Sequence, residues 1–330
     1  MQPLYYVLSL GLCFGMACWA DAAKPVNTAP VDESKDIRRF DTNGDGHFDQ
    51  WETRVNGQLH RMEADLNHDT RIDYWMTYKQ GKPVQAEFDT NGNGQVDQRE
   101  IYNAQGEIQA VRTDRDGDGI LEQHIVYGPN QIVRRIETDT NGDANIDQWQ
   151  DFEGGQLTRI TLDVDDNGTP DQWHDYQPDG TRPLIRLDTS GNGRADEWRH
   201  FRGDHLSMVK RDHNADGTVD EIVHYDLKGH ITQVLQDFDA PDRPRTRLIY
   251  ELGTLVRGEF DTNRDAKTDQ WHVYDAKGHL VRAIYDQNGD GRQDQWEYFK
   301  PGNTKPYRIE RDTSGNGKGD STWEQPGTKR

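Results

Sequence analysis

The chain has little from which to build a conventional core: of its 330 residues 32% are hydrophobic, and the mean hydropathy is -1.07. A chain this polar, with a net charge of -20, stays unfolded unless something external holds it. Sulfur is excluded, because the only two cysteines, Cys13 and Cys18, lie in the apolar N-terminal segment and leave the remainder without a disulfide or thiolate site. Positive charge is scarce as well. With 39 Lys+Arg against 59 Asp+Glu, nucleic acid and anionic membrane are excluded as partners, since both repel an acidic surface. After the N-terminal segment no run is long and apolar enough to span a bilayer, so no transmembrane span is expected after processing. Catalytic signatures are also missing, with no Gly-x-Ser-x-Gly, His-Glu-x-x-His or phosphate loop, and the chain is not expected to be an enzyme.

The N-terminus reads as an export signal. Residues Leu4 to Ala20 form an apolar run closed by Ala20-Asp21-Ala22, which predicts a signal peptide over residues 1–22 and a periplasmic or extracellular product. A retained N-terminal anchor is the alternative, because no Lys or Arg precedes the run. Gly15-Met-Ala-Cys18 is only loosely similar to a lipobox, so a lipid anchor at Cys18 is the lesser expectation. Residues 23–40, with Pro25 and Pro30, read as a linker, residues 41–323 as a repeat array and residues 324–330 as a polar tail.

What the chain does have is aspartate at regular intervals. In Asp286-Gln-Asn-Gly-Asp-Gly-Arg-Gln-Asp294-Gln-Trp296, oxygen donors stand at positions 1, 3 and 5, Gly291 permits a sharp bend, and Asp294 adds a carboxylate at position 9. That spacing is most of an EF-hand-type calcium loop, and a hard cation needs six to eight such oxygens. Copies begin at Asp41, Asp65, Asp89, Asp114, Asp139, Asp163, Asp188, Asp212, Asp237, Asp261, Asp286 and Asp312, which marks one tandem array.

The candidate calcium ligands follow from the same four positions. They are Asp41, Asn43, Asp45 and Asp49, joined by Glu52 at position 12; Asp65, Asn67, Asp69 and Asp73; Asp89, Asn91, Asn93 and Asp97; and Asp114, Asp116, Asp118 and Glu122. Further along they are Asp139, Asn141, Asp143 and Asp147; Asp163, Asp165, Asn167 and Asp171; Asp188, Ser190, Asn192 and Asp196; and Asp212, Asn214, Asp216 and Asp220. The last three sets are Asp261, Asn263, Asp265 and Asp269; Asp286, Asn288, Asp290 and Asp294; and Asp312, Ser314, Asn316 and Asp320. The copy at Asp237 has Pro241 at position 5 and Arg245 at position 9, so it is expected to bind no ion, with Arg245 solvated or, as the lesser expectation, placing a positive group in the gap in the cation row.

Eleven divalent ions would add about +22, close to cancelling the net charge. The competing reading is that Asn-Gly and Asp-Gly are hairpin turns needing no metal, but a turn alone leaves the acid at position 9 unexplained. Position 12, where a bidentate Glu normally completes the shell, holds Glu only at Glu52, Glu100 and Glu297. The missing oxygens are therefore expected from the residue two before the first Asp, as at Glu63, Glu87, Glu137, Glu259 and Glu310. The loops at Asp41, Asp114, Asp163, Asp212 and Asp286 are expected to be strongest.

The second half of each copy carries Trp at position 11 seven times, including Trp75, Trp173 and Trp296, and an aromatic residue at position 14 ten times, including Tyr78, Tyr102 and Tyr274. A Gly turn and an aliphatic residue follow. Too few residues separate the loop from this second turn for a stable helix, and β-branched and aromatic residues enrich both flanks. The expected fold is all-β, an elongated antiparallel β-hairpin array forming a curved ribbon or solenoid, with aromatic residues stacking between repeats.

The loops resemble dockerin and thrombospondin type 3 calcium repeats, and the Trp-x-x-aromatic, Gly-turn half is similar to bacterial YD and MORN-like hairpin repeats. The resemblance implies calcium-dependent folding of an exported, extended module. It departs from dockerin in having no flanking helices and from thrombospondin repeats in lacking their cysteines, so neither cohesin binding nor matrix assembly is implied. Two functions remain: a structural or surface-adhesion protein stiffened by Ca2+, with a surface protein as partner, or a module whose repeated aromatics bind polysaccharide or a protein ligand.

Overall fold

The structure, a computed structural model, describes residues 35–240 and 243–325, which hold twenty-four β-strands. The expected signal peptide and Cys18 anchor lie outside the described residues. Contacts divide the chain into two compact units meeting between Ile132 and Val133. In the first, eight strands from Lys35–Phe40 to Gln123–Tyr127 pair antiparallel, each with the next. In the second, sixteen strands from Val133–Thr138 to Ser321–Glu324 do the same. The sole helical piece among the described residues is the single 3-10 turn Pro129–Gln131. Each unit is an open antiparallel hairpin sheet, as the strand-turn-strand reading predicts.

Two boundaries differ from that reading. Lys35–Phe40 is a strand paired residue by residue with Gln50–Val55, so the array begins inside the stretch read as linker. At the other end Glu324 closes the last strand. The reason is one of pairing: without a preceding strand, the backbone groups of Gln50–Val55 would lose half their hydrogen-bond partners.

Strand alternation sorts the side chains onto two faces. Positions 10 and 12 share a face with the residues one and three before each loop. There the residue three before the loop lies between two position-12 residues: Met62 between Glu52 and Met76, Ala86 between Met76 and Glu100, Val209 between Arg199 and Val223. This row holds most of the buried apolar residues, with Ala110, Ile222 and Ile284 buried on the opposite face. Ala86 and Ala283 are 0% exposed and Val209 2% exposed, because long neighbours on both sides close over a small or branched residue.

The opposite face carries position 11. Trp75 lies between Glu63 and Glu87, and Trp271 between Glu259 and Ile284, so successive tryptophans are two strands, or about 10 Å, apart. Tryptophans of successive repeats are therefore not among the rings in contact. The ring contacts among the described residues are Tyr74–Phe88 at 5.0 Å, Phe260–His272 at 4.9 Å and His272–Tyr274 at 6.3 Å, and Trp173 is instead covered by the Arg186 guanidinium at 5.6 Å.

The copy at Asp237 has become a plain hairpin, Ile231–Ala240 against Arg243–Glu251, with Phe238 opposite Pro244. Arg245 is partly exposed there, and its guanidinium also reaches Asp239 at 3.2 Å and donates to the Asp237 carbonyl at 3.2 Å, so it is more than a plain solvated side chain.

Candidate metal centre

The remaining eleven loops share one hydrogen-bond network, built from the acid at position 1. One carboxylate oxygen accepts the N–H of position 4 or 5 and the other that of position 6: Gly44 at 2.6 Å and Gly46 at 2.9 Å on Asp41, Gly289 at 2.8 Å and Gly291 at 2.7 Å on Asp286. Both amides are reached only if the chain turns left-handed twice. Position 6 has positive φ even where it is not glycine, at Thr70, Ala144 and Ala266, and so does position 4, at His68, Asp166, Ala215 and Arg264. The demand at position 4 was missed in the sequence, although Gly44, Gly92, Gly117, Gly142, Gly191, Gly289 and Gly315 signal it.

Positions 3 and 5 stand on the exposed rim. Each side-chain oxygen accepts an N–H two residues on, as Asn43 does from Asp45 at 2.9 Å and Asp45 from His47 at 2.8 Å. Where position 3 is Ser190 or Ser314, its hydroxyl donates instead to Asp188 or Asp312, each at 3.2 Å. An amide-bound carboxylate oxygen keeps a second lone pair, so the network orients the donors without exhausting them.

Position 9 closes the loop. Its N–H donates to the carbonyl just before the loop, as Asp49 does to Phe40 at 3.0 Å, and its carboxylate accepts from position 2. Asp49, Asp97, Asp147, Asp196, Asp269 and Asp320 take both the N–H and the hydroxyl of a threonine. Asp73, Asp171, Asp220 and Asp294 take the N–H alone, of Leu66, Val164, His213 and Gln287. An acid at position 9 thus has a task in the turn that needs no ion, which answers the objection raised against a metal-free turn.

The loops are also joined in series. The N–H of one loop's first Asp donates to the position-9 carbonyl of the loop before: Asp65 to Asp49 at 2.9 Å, Asp89 to Asp73 at 2.9 Å, Asp188 to Asp171 at 2.8 Å and Asp312 to Asp294 at 2.9 Å. In the copy without a loop, the Arg245 carbonyl serves Asp261 at 2.8 Å.

Among the described residues, two loops bring three or more carboxylates together, with oxygens all within 4.8 Å of one another. They are Asp114, Asp116, Asp118 and Glu122, and Asp163, Asp165 and Asp171. These are the loops with an acid at position 3. The acids of the Asp41, Asp212 and Asp286 loops, expected to be equally strong, form no such group.

The supplementary ligands fall elsewhere. Glu52 is bound to Arg54 at 3.0 Å inside its strand, Glu100 accepts from the Tyr102 hydroxyl at 2.5 Å, and Glu297 from Gln295 at 2.9 Å, so position 12 serves the sheet face and not the loop. Likewise Glu63 pairs with Arg61 at 3.0 Å, Glu87 with Arg99 at 2.8 Å, Glu137 with Arg135 at 3.1 Å, Glu259 with Arg257 at 3.0 Å and Glu310 with Arg308. Alternation along one strand supplies the arginine for Glu63, Glu137, Glu259 and Glu310, two residues away on the same face, and register across two strands supplies Arg99 to Glu87. His174 and His272 are half-buried in the core row, beside Gln172 and Gln270, and burial lowers the pKa of both.

The loop bonds set a pH dependence. Burial opposes ionisation of Asp196, yet the Thr189 hydroxyl and N–H and Ser190 outweigh it and lower its pKa. The Thr313 hydroxyl, with the Thr313 and Ser314 amides, holds Asp320 at about 2. A depressed carboxylate contributes stability above its unfolded pKa near 4 and loses it as pH falls through the folded value. The metal-free protein is therefore expected to lose the stability that Asp196 and Asp320 contribute between about pH 4 and pH 2, read as a lower denaturant midpoint; a midpoint unchanged down to pH 2 would exclude this account. Glu122 runs the other way, its pKa raised by burial and by the Asp114 and Asp116 charges against the Arg115 amide.

Among the described residues no helix is long and apolar enough to cross a membrane. No protein-family model and no curated protein matches the chain. Solved structures do match. A complex of TcdB2-TccC3 with Cdc42 aligns over 84% of this chain and 17% of its own, with 14% identity and a TM-score of 0.23. TcdB2-TccC3 aligns over 85% and 15%, with 16% identity and a TM-score of 0.20. TcdB2-TccC3 without its hypervariable C-terminal region aligns over 85% and 14%, with 15% identity and a TM-score of 0.21. This chain thus spans less than a fifth of those chains, and likeness of this extent leaves the fold to rest on the strands themselves.

Proposed function

We propose that the chain is an exported calcium-binding repeat protein, a structural spacer or surface-adhesion module folded or stiffened by Ca2+. The observation that carries this reading is the repeated loop geometry. In eleven copies the position-1 carboxylate is fixed by backbone amides of its own loop, and the side chains of positions 3 and 5 stand on the exposed rim. Oxygen-only donors without His or Cys suit a hard cation, and a loop that gathers negative charge lowers its own repulsion by binding one. The serial N–H bonds between loops would carry the stiffening along each unit.

The polysaccharide reading has less support. Each tryptophan on the position-11 face is half-buried beside residues such as Glu63 and Glu87, so the face offers no continuous apolar platform. No catalytic role is proposed. The test is equilibrium dialysis of the full chain against calcium after chelator treatment. Uptake of several equivalents, approaching one per loop, is expected; uptake of fewer than about two equivalents at millimolar calcium would reduce the loops to turns.

A further inference from the structure

The loop Asp114–Glu122 differs from the other ten in one atom's circumstances. Glu122 is 8% exposed, and its Oε1 is buried without a hydrogen-bond partner. Its other oxygen accepts the Arg115 N–H at 2.8 Å, which is the bond the position-9 acid makes in every loop. Oε1 is thus surplus to the turn, and a buried carboxylate oxygen with no donor is unfavourable unless a ligand meets it. The carboxylate has company as well. An oxygen from each of Asp114, Asp116, Asp118 and Glu122 lies within 4.8 Å of the others, and no Lys or Arg among the described residues forms an ion pair with any of the four.

An acid at position 3 gathers carboxylates both here and in the Asp163 loop, and this loop adds a position-9 acid that is one methylene longer. The loops at Asp41, Asp65, Asp139, Asp212, Asp261 and Asp286 also carry acids at positions 1, 5 and 9, yet none brings those three together. An aspartate at position 9 is drawn back to position 2, in six loops by a threonine hydroxyl in addition to the amide. Position 2 here is Arg115, which offers Glu122 no hydroxyl, and the longer acid satisfies the Arg115 amide with one oxygen while the other is left buried without a partner.

We propose that the Asp114–Glu122 loop is the chain's tightest divalent-cation site, filled before the others, with Glu122 Oε1 as the ligand that sets it apart. This rests on the cation-binding reading above. Four carboxylates and no nitrogen or sulfur donor specify a hard, calcium-sized ion, for which affinity rises with ligand charge and site rigidity.

The test is calorimetric titration of the full chain with calcium, comparing wild type, Glu122→Gln, Glu122→Asp and Asp118→Asn. The wild type is expected to show a first phase of one equivalent, about tenfold or more tighter than the remainder. Glu122→Gln and Asp118→Asn should remove that phase and leave the weaker uptake intact, and Glu122→Asp should shift it into the weaker class. Asp118 is exposed and its loop bond survives as asparagine, so that variant decides the matter if Glu122→Gln fails to fold by circular dichroism. A single uniform class of sites, or a tight phase that survives Asp118→Asn, would overturn this proposal alone. No calcium uptake by the wild type would overturn the broader reading and this one with it.

Discussion

Saturating calcium is expected to raise the unfolding temperature of the chelated protein, with each loop held at a hundred times its Kd contributing about 2.7 kcal/mol. Ions bound by the folded loop and not by the unfolded chain stabilise by mass action, and eleven loops offer that many opportunities. The gain should not simply add. In a repeat array, stability is a sum of unit and nearest-neighbour terms, and here the neighbour term includes the bond from each loop's first N–H to the position-9 carbonyl before it. Scanning calorimetry in chelator and in millimolar calcium would read the effect, with broad or multiple transitions in chelator merging as calcium is added. Equal traces in both conditions would mean that the network of amide bonds alone carries the loops.

Replacing Asp196 with Ala should be the most damaging single loop substitution, at about 2–4 kcal/mol. The carboxylate is 4% exposed and accepts the Thr189 N–H at 2.9 Å, the Thr189 hydroxyl at 2.7 Å and the Ser190 N–H at 2.8 Å. Alanine leaves these donors beside a cavity. Hydrogen exchange should show the Thr189 and Ser190 amides losing protection along with the strand Leu184–Leu187, whose last carbonyl accepts the residue's own N–H at 2.8 Å. Asp320→Ala removes the same kind of contacts in an exposed loop, where water can replace them, and should cost less. A denaturation midpoint for Asp196→Ala matching wild type would show that water serves the buried loop equally well.

Local chemistry made much of this legible. The short span between loop and Gly turn, with Trp and β-branched neighbours, required strands, and the described strands follow. The left-handed residue at position 6 was readable even at Thr70, Ala144 and Ala266, because the loop's spacing demands it whatever residue stands there. Position 4 was equally readable from its glycines and was overlooked, since the calcium-loop pattern draws attention to oxygens and to one glycine.

Glu52, Glu63 and Glu137 stand at ligand spacing from a loop, but strand alternation puts Arg54, Arg61 and Arg135, two residues away in the same strand, on the same sheet face beside them. Arg245 was read as solvated because its partner, Asp239, comes within reach only when the lost loop is drawn out into a hairpin. Aromatic contacts follow from the period, but antiparallel pairing inserts a strand between each pair of tryptophans, so the rings that meet are others, such as Tyr74 and Phe88.

By itself, then, the sequence determined the period, the strand-turn-strand unit and the position-1 to position-9 frame of each loop, since these depend on contacts within about ten residues. Tertiary structure alone decided which carboxylates meet an arginine on a neighbouring strand, as Glu87 meets Arg99 and Glu197 meets Arg211, and which oxygens are left buried without a partner, as Glu122 Oε1 is. That choice depends on strand register and side-chain reach, neither of which is fixed by spacing along the chain.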